Sequence, residues 1–370
     1  MRFLFVICGE GLGHTSRCLH LGHFMQEHGH EVHFGAYGKS YDFMDQHLCT
    51  NLHQVSREVC LEGEGGFFSL KKTLWESRWI AWDMIRSVLD TRALIDKYFF
   101  DCIICDTMFG GVLAARSKGI PVVFVTNQNY FSGARGETNI IWKALNFMVR
   151  RYLQLAHHVI VPDFPPPDTV SGYNIVIPEW EKDRYTFTGP LFDLDPSKYN
   201  FMQKTIFTSF GGEPFKLPMY RMFRAIADKR PDLFFDVFYT GPILPESSRN
   251  FVAHGYVPNI FEHLAEAKVA IVHGGLTTLH ESLLFGKPVL IIVDPNHPEQ
   301  QNNARKIVDL GAGIVVDGST ATTELLEEKL ADAARLTQKP FREQYGSMNG
   351  RKRAMEIIVR VAERKVRKAP

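Results

Sequence analysis

No apolar run in this chain approaches the roughly 18 residues that span a bilayer, so its 45% hydrophobic content must fill globular cores. A secretory pattern is also missing, because Met1 leads at once into Arg2-Phe-Leu-Phe-Val-Ile-Cys8, a run of strand length. A cytosolic location is expected. Charge of neither sign dominates: 42 Lys and Arg against 41 Asp and Glu leave a formal net charge of +1, which gives no global case for nucleic acid as a partner. Cysteine is sparse and lopsided, with Cys8, Cys18, Cys49, Cys60, Cys102 and Cys105 all in the first third. That is not a disulfide framework and fits a reducing compartment. Cys102-Ile-Ile-Cys105 has the spacing of half a zinc site, but it lies in an apolar run with no second pair and reads as core thiols. Histidines are plentiful, yet His20, His23, His28, His30 and His33 look like surface or packing residues. None pairs at metal-ligand spacing, so no metal or other cofactor is expected.

What is present is a rhythm. Phe3–Cys8, Val32–Phe34, Cys102–Cys105, Val122–Val125 and Val159–Val161 read as short strands separated by helix-length segments, the pattern of a parallel sheet. From Thr186 through Ser197 the composition turns polar and carries Pro190 and Pro196, which reads as a linker. The rhythm restarts at Thr205-Ile-Phe-Thr-Ser209 and continues through Phe234–Phe238, Val269–Val272, Val289–Val293 and Ile314–Val316. Each unit opens with a strand running into glycines. The predicted fold is α/β, two tandem Rossmann-like domains facing across a cleft. The expected bounds are 1–195 for the first, 203–348 for the second, and 349–370 for a basic terminal helix able to cross back to the first. That helix carries eight Lys and Arg against two Glu between Arg351 and Lys368.

The richest stretch is Val272-His273-Gly274-Gly275-Leu276-Thr277-Thr278-Leu279-His280-Glu281. A strand that enters Gly-Gly and then a helix with two hydroxyls in its first turn makes a diphosphate site, since unpaired helix amides and the dipole face the anion. Glu281 follows Thr277 by one turn on the same face, placed to chelate a vicinal diol such as ribose. Glu299 and Gln300 open a second helix and can bond several hydroxyls. Phosphate, ribose and a second polyol together indicate a nucleotide sugar.

Segment 254–313 resembles the donor-binding segment of the UDP-glycosyltransferase superfamily: His-Gly-Gly, two small polar residues, Glu, Gly-x-Pro, an acid-Gln pair and Asn-Ala. His273, Gly274, Gly275, Thr277, Thr278, Glu281, Gly286, Pro288, Glu299, Gln300, Asn303 and Ala304 supply that pattern in order. Leu276 stands where plant members carry Trp, and Glu299 where many carry Asp, so the sugar is not carried over. The resemblance implies the GT-B architecture, with donor bound by the second domain and acceptor by the first. It also implies uracil recognition at Tyr256, by stacking, and at the Val257 main chain, while a buried structural tyrosine accounts for the Tyr256 side chain equally well. Ser209, Gly211 and Gly212 would help hold the diphosphate.

The first loop, Gly9-Glu10-Gly11-Leu12-Gly13-His14, fails a dinucleotide fingerprint, because His14 stands where the third glycine belongs. Gly11 and Gly13 would instead let a large acceptor approach the backbone. His14 is the candidate base, since imidazole suits proton transfer near neutral pH. The superfamily orients such a His with an Asp at a strand end, which Asp106 supplies here. Alternatives are a helix-capping or phosphate-side role for His14, and for Asp106 an N-cap of a helix at Phe109–Arg116.

Trp75, Trp79 and Trp82, at i, i+4 and i+7 beside Lys71, Lys72, Arg78 and Arg86, form one face of an expected helix. Trp142 to Arg151 forms a second segment in which Arg150 and Arg151 interrupt an apolar arc. Aromatic and basic residues together suit a membrane interface; a stripe at helical spacing also suits a core. The expectation is an inverting, metal-independent transferase moving sugar from a UDP-sugar to a hydroxyl of a membrane lipid or lipid-linked saccharide, on the cytosolic face of an anionic membrane. The arrangement resembles the bacterial GlcNAc transferases that build the peptidoglycan lipid precursor. Other readings are a nucleotide-sugar 2-epimerase or hydrolase of the same fold, a soluble small-molecule glycosyltransferase, and a catalytically silent binding module.

Overall fold

Short buried strands alternating with helices pair in parallel, because each helical crossover returns the chain to the same sheet edge. A computed structural model of the chain describes residues 1–58, 63–64, 67–68, 72, 75, 78–132, 138–192, 194–211, 216–241, 243–257, 259–337 and 340–366. The first half runs β1 (Arg2–Ile7), α1 (Leu12–Glu27), β2 (Glu31–Ala36), α2 (Gly38–Gln46) and β3 (Leu52–Gln54), then a small antiparallel hairpin, β4 (Gly63–Glu64) with β5 (Phe67–Phe68). It continues with α3 (Ile80–Tyr98), β6 (Cys102–Asp106), α4 (Phe109–Ser117), β7 (Val122–Val125), α5 (Ile140–Leu155), β8 (His158–Val161) and β9 (Tyr185–Phe187). The seven-stranded sheet has the order β3-β2-β1-β6-β7-β8-β9.

The second half runs β10 (Thr205–Ser209), α6 (Leu217–Lys229), β11 (Phe235–Phe238), β12 (Phe251–His254), α7 (Phe261–Glu266), β13 (Ala267–Val272), α8 (Leu276–Leu284), β14 (Val289–Val293), α9 (Pro298–Asp309) and β15 (Gly313–Asp317). Its six strands lie in the order β12-β11-β10-β13-β14-β15. Then follow α10 (Thr323–Ala333), α11 (Phe341–Tyr345) and α12 (Gly350–Val366).

Each sheet is buried on both faces, as doubly wound sheets are. In the first half one face packs Leu4, Val6, Ile103 and Cys105 against Ile95, Val112, Val149 and Leu153 from α3, α4 and α5. The other face packs Phe3, Phe5 and Ile104 against Cys18 and Leu21 of α1 and against Ala354, Ile358, Val361 and Ala362 of α12. The terminal helix thus covers the first sheet on the face opposite α3 and α5. Phe164 and Val170, which follow β8, are buried in the core of the second half beside Leu276, Leu279 and Tyr345.

Two expectations are corrected here. The stretch read as linker from Thr186 begins as strand, since Thr186 and Phe187 pair with β8. The tryptophans do not share one helix face: α3 starts at Ile80, Trp79 is its N-cap, and Lys71 lies outside the described residues. Trp75, Trp79 and Trp82 are 67%, 63% and 53% exposed, which removes the core alternative. Trp142 on α5 is half-buried.

Candidate active site at the interdomain cleft

Strand register puts the first half's chemistry at one edge. Ile7 pairs with Asp106, so the Gly-rich loop leaving β1 passes directly beside that carboxylate at the carboxyl end of β6. His14, in the first turn of α1, brings Nδ1 to 2.7 Å from Asp106 Oδ1. Arg17, one turn on, reaches the same carboxylate with both Nε and Nη2 at 2.5 Å, and Cys18 Sγ donates to it from 3.2 Å. Asp106 is therefore no N-cap; Met108 occupies that position on α4. Burial alone would raise the Asp106 carboxyl, but the charges of Arg17 and His14 and their hydrogen bonds outweigh it and hold the group well below the usual carboxylate range.

This geometry selects a tautomer. A proton on Nδ1 of His14 satisfies Asp106 and leaves the Nε2 lone pair to take a proton from an incoming hydroxyl. Arg17 Nη2 also lies 2.9 Å from Nδ1, but its hydrogens have Asp106 to donate to. Arg17 shares the carboxylate with His14, and Asp106 holds the imidazole in place. The His14 side chain is 24% exposed and that of Asp106 1%.

Opposite stands the second half's donor segment. His273 follows β13, Gly274 is buried, and Gly275 is the N-cap of α8, with no side chain capping the helix amides. Gly274 has to be glycine: a Cβ there would come within 2.4 Å of the Gln300 carbonyl oxygen. That close approach seats α9 against the loop, and Asn303 Nδ2 donates to the Gly274 carbonyl at 2.9 Å. The amino end of α1, with Gly11 as its N-cap, likewise has no side-chain cap. The two uncapped ends meet: a Cβ at Gly13 would lie 3.3 Å from Thr277 Oγ1. Two sets of unpaired amides and their dipoles thus converge on the cleft.

Glu281 lies on α8 beneath Thr277 and Thr278, both half-buried. It is 7% exposed, and burial pushes its carboxyl up to about 8. Among the described residues nothing hydrogen-bonds that carboxyl. Glu299 Oε1 accepts from Asn127 Nδ2 at 2.6 Å, and Asn127 Oδ1 accepts from Arg17 Nη1 at 3.1 Å. A continuous polar chain therefore runs from His14 through Asp106, Arg17 and Asn127 to Glu299, from one half to the other. Gln300 is half-buried beside it. A second tie is the buried pair His280 Nε2 and Asp163 Oδ1 at 2.8 Å, where Asp163 also accepts from Ser171.

The remaining expected residues are spread more widely. Ser209 ends β10 and Gly211 follows with φ of 77°; Gly212 lies outside the described residues. Val257 is partly buried against the second half's core. Tyr256 packs edge-on against Phe43 and His47 of α2 and its extension, ring centroids 4.9 and 4.6 Å away, so its ring bridges the halves. Beside Glu10 a pocket of about 560 Å³ opens, lined also by Tyr37, Gln54, Ser56, Arg57 and Asp90. Arg150 and Arg151 lie away from the cleft on α5, over the Trp180 and Phe147 rings, and Arg150 also meets Glu181 at 3.4 Å.

Sequence reasoning missed Arg17, Asn127 and His280. Arg17 was findable, since it stands one helical turn after His14. Asn127 had only its place just past β7, next to the Asp106 strand, as a signal.

Residues 238–360 match the glycosyltransferase family 28 C-terminal domain, and residues 1–170 match the glycosyl transferase family 1 model. An uncharacterised glycosyltransferase of Methanosarcina acetivorans is 32% identical over 329 residues, 85% of this chain and 83% of its own. The UDP-N-acetylglucosamine–N-acetylmuramyl-(pentapeptide) pyrophosphoryl-undecaprenol N-acetylglucosamine transferase of Thermosipho africanus is 24% identical over 43% of this chain and 48% of its own. The solved glycosyltransferase of kitacinnamycin superposes with a TM-score of 0.70 over 98% of this chain and 99% of its own, at 16% identity. Matched by transferase models in both halves and aligned with such a relative over most of both chains, this protein belongs to the glycosyltransferases and has their GT-B architecture.

Proposed function

We propose that the protein transfers a sugar, with inversion and without a catalytic metal, from a UDP-sugar to a hydroxyl of a membrane lipid or lipid-linked saccharide. The observation that carries this reading is the meeting of two uncapped helix ends beside the His14–Asp106 pair. His14 Nε2 takes the acceptor proton as the hydroxyl oxygen attacks the anomeric carbon. The bond to UDP breaks as the new one forms, and the configuration inverts. Charge growing on the diphosphate is met by the α8 amides, Thr277, Thr278 and His273. Glu281 takes the ribose diol, Val257 the uracil edge, and Glu299 with Gln300 the sugar hydroxyls, Glu299 exchanging Asn127 for the substrate.

A lipid acceptor is supported by what surrounds α3 and α5. Trp79, Trp82, Ile85 and Leu89 are exposed on α3 or at its start, and Ile140, Phe147 and Met148 on α5. Both helices pack on the same face of the first sheet. Arg78 and Arg86 lie over the Trp75 and Trp82 rings, a pairing of cations with amphipathic rings that suits an anionic headgroup layer. No helix among the described residues is long and apolar enough to cross a membrane. The relative from Thermosipho, by its name, acts on an undecaprenol-linked substrate. The test is a UDP-release screen across donor sugars, with lipid extracts and small phenols as acceptors. Release dependent on lipid is expected; release with soluble acceptors alone would move the acceptor off the membrane, and free or epimerised sugar without acceptor would replace transfer by hydrolysis or epimerisation.

A further inference from the structure

On the β11–β12 side of the second sheet, three side chains converge that the transfer chemistry does not use. Asp236, on β11, places Oδ1 2.6 Å from His254 Nε2 and Oδ2 2.6 Å from His263 Nδ1. His254 closes β12, paired in register with Phe238, and His263 lies on α7. Phe238 supports both rings, stacked on His254 at 5.0 Å and edge-on to His263 at 4.8 Å. One nitrogen from each imidazole and one carboxylate oxygen lie within 4.8 Å of one another. The cluster keeps a solvent path, since the two histidine side chains are 27% and 28% exposed and that of Asp236 13%.

We propose that Asp236, His254 and His263 form a divalent transition-metal site of the zinc class, which staples the base-recognition loop between β12 and α7. Two imidazoles with one carboxylate are a donor set suited to Zn²⁺ or Co²⁺, whereas Mg²⁺ and Ca²⁺ favour oxygen alone. Without metal, each ring donates a hydrogen bond to one carboxylate oxygen. The cation takes the lone pairs of His254 Nε2 and His263 Nδ1 together with a carboxylate oxygen. Each ring's proton passes to its other nitrogen, or to solvent where the ring was charged, and water takes the remaining position. Bonds of about 2.0 Å to a tetrahedral cation set ligand atoms roughly 3.3 Å apart, so the 2.6 Å from an imidazole nitrogen to its own carboxylate oxygen opens by less than an ångström and the other separations, all within 4.8 Å, have little to change. The ligands sit on either side of residues 255–260, which include Tyr256 and Val257. Holding both ends fixes that loop on the sheet. The site stands independently of the transfer reading; its effect on nucleotide binding rests on it.

The test uses the full chain, stripped with a chelator and titrated with Co²⁺ by visible absorption, then with Zn²⁺ in competition. One equivalent of Co²⁺ with ligand-field bands is expected, displaced by Zn²⁺. His263→Ala and Asp236→Asn should each weaken it at least about tenfold, since even outer partners of metal ligands are worth that much. His53→Ala, in the separate His33–His53 contact at 2.9 Å, should leave it unchanged. Circular dichroism checks that the variants fold. A flat spectrum, or binding that survives both ligand variants or is lost in His53→Ala, overturns the site. For the staple, Zn²⁺ should tighten UDP binding in the wild-type chain and not in His263→Ala; equal UDP affinity with and without Zn²⁺ overturns it.

Discussion

Glu281 offers a sharp test because a buried carboxyl without a partner among the described residues makes opposite demands on the empty and the occupied protein. Burial pushes it up to about 8, while in the unfolded chain it titrates in the ordinary carboxyl range, near 4.3. Between those values the folded chain holds a proton that the unfolded chain has released. Its stabilising effect is complete below the unfolded value and is lost as pH rises towards about 8, at roughly 1.4 kcal/mol per unit. From pH 5 to pH 7 the empty protein should lose about 3 kcal/mol from this group alone. Glu281→Gln removes that dependence, so the variant should unfold several degrees higher than wild type at pH 7 and at a similar temperature at pH 5. UDP should narrow or close that gap at pH 7. The carboxylate form accepts the ribose hydroxyls, and its loss weakens UDP by about 1.5–3 kcal/mol, with free diphosphate little affected. Thermal unfolding of both proteins from pH 5 to pH 9, with and without UDP, reads all of this. Parallel pH profiles in the empty proteins would refute the buried, proton-holding carboxyl; equal weakening of UDP and diphosphate would refute the ribose contact.

His14→Ala should lower kcat by about 10²–10⁴ and leave UDP affinity intact by calorimetry; retention of more than about a third of wild-type kcat would place the base elsewhere. Asp106→Asn should destabilise the fold by about 3–5 kcal/mol in denaturant unfolding as well as slow turnover, because it strands the buried Arg17 charge; full stability in that variant would mean Arg17 finds another partner. His280→Ala should lower stability by about 3 kcal/mol, the lower end of what a broken buried pair loses, since Ser171 still satisfies Asp163. Trp79→Ser with Arg151→Glu should abolish salt-sensitive flotation with anionic vesicles, where each Lys or Arg adds about 1 kcal/mol; unchanged flotation would detach the α3–α5 surface from membrane binding.

The donor segment was legible because its parts are contiguous: strand, glycines, helix hydroxyls and carboxylate follow one another, and helix periodicity alone fixes their faces. The long buried strands were legible for the same reason, whereas β3, β9 and β12, three or four residues each at sheet edges, are short and only partly buried and do not stand out. The His14–Asp106 pair needed the resemblance, since 92 positions separate the two. What links the halves could not be read at all. Asn127 and Glu299 are 172 positions apart, His280 and Asp163 117, and no local pattern marks a polar residue whose partner lies on another sheet. The Asp236, His254 and His263 trio was hidden likewise, since ligands from two strands and a helix leave no spacing to count.

The return of α12 to the first sheet also sets an order of events in synthesis. Ala354, Ile358, Val361 and Ala362 fill a core whose other side chains, Phe3, Phe5 and Phe34 among them, leave the ribosome first. At about 5–20 residues per second, the stretch between β9 and α12 takes roughly ten to thirty seconds to make. Throughout that interval the nascent first half has that phenylalanine-rich face covered by α1 but without the part that α12 supplies. The first half's core is therefore complete only after the second half has been made.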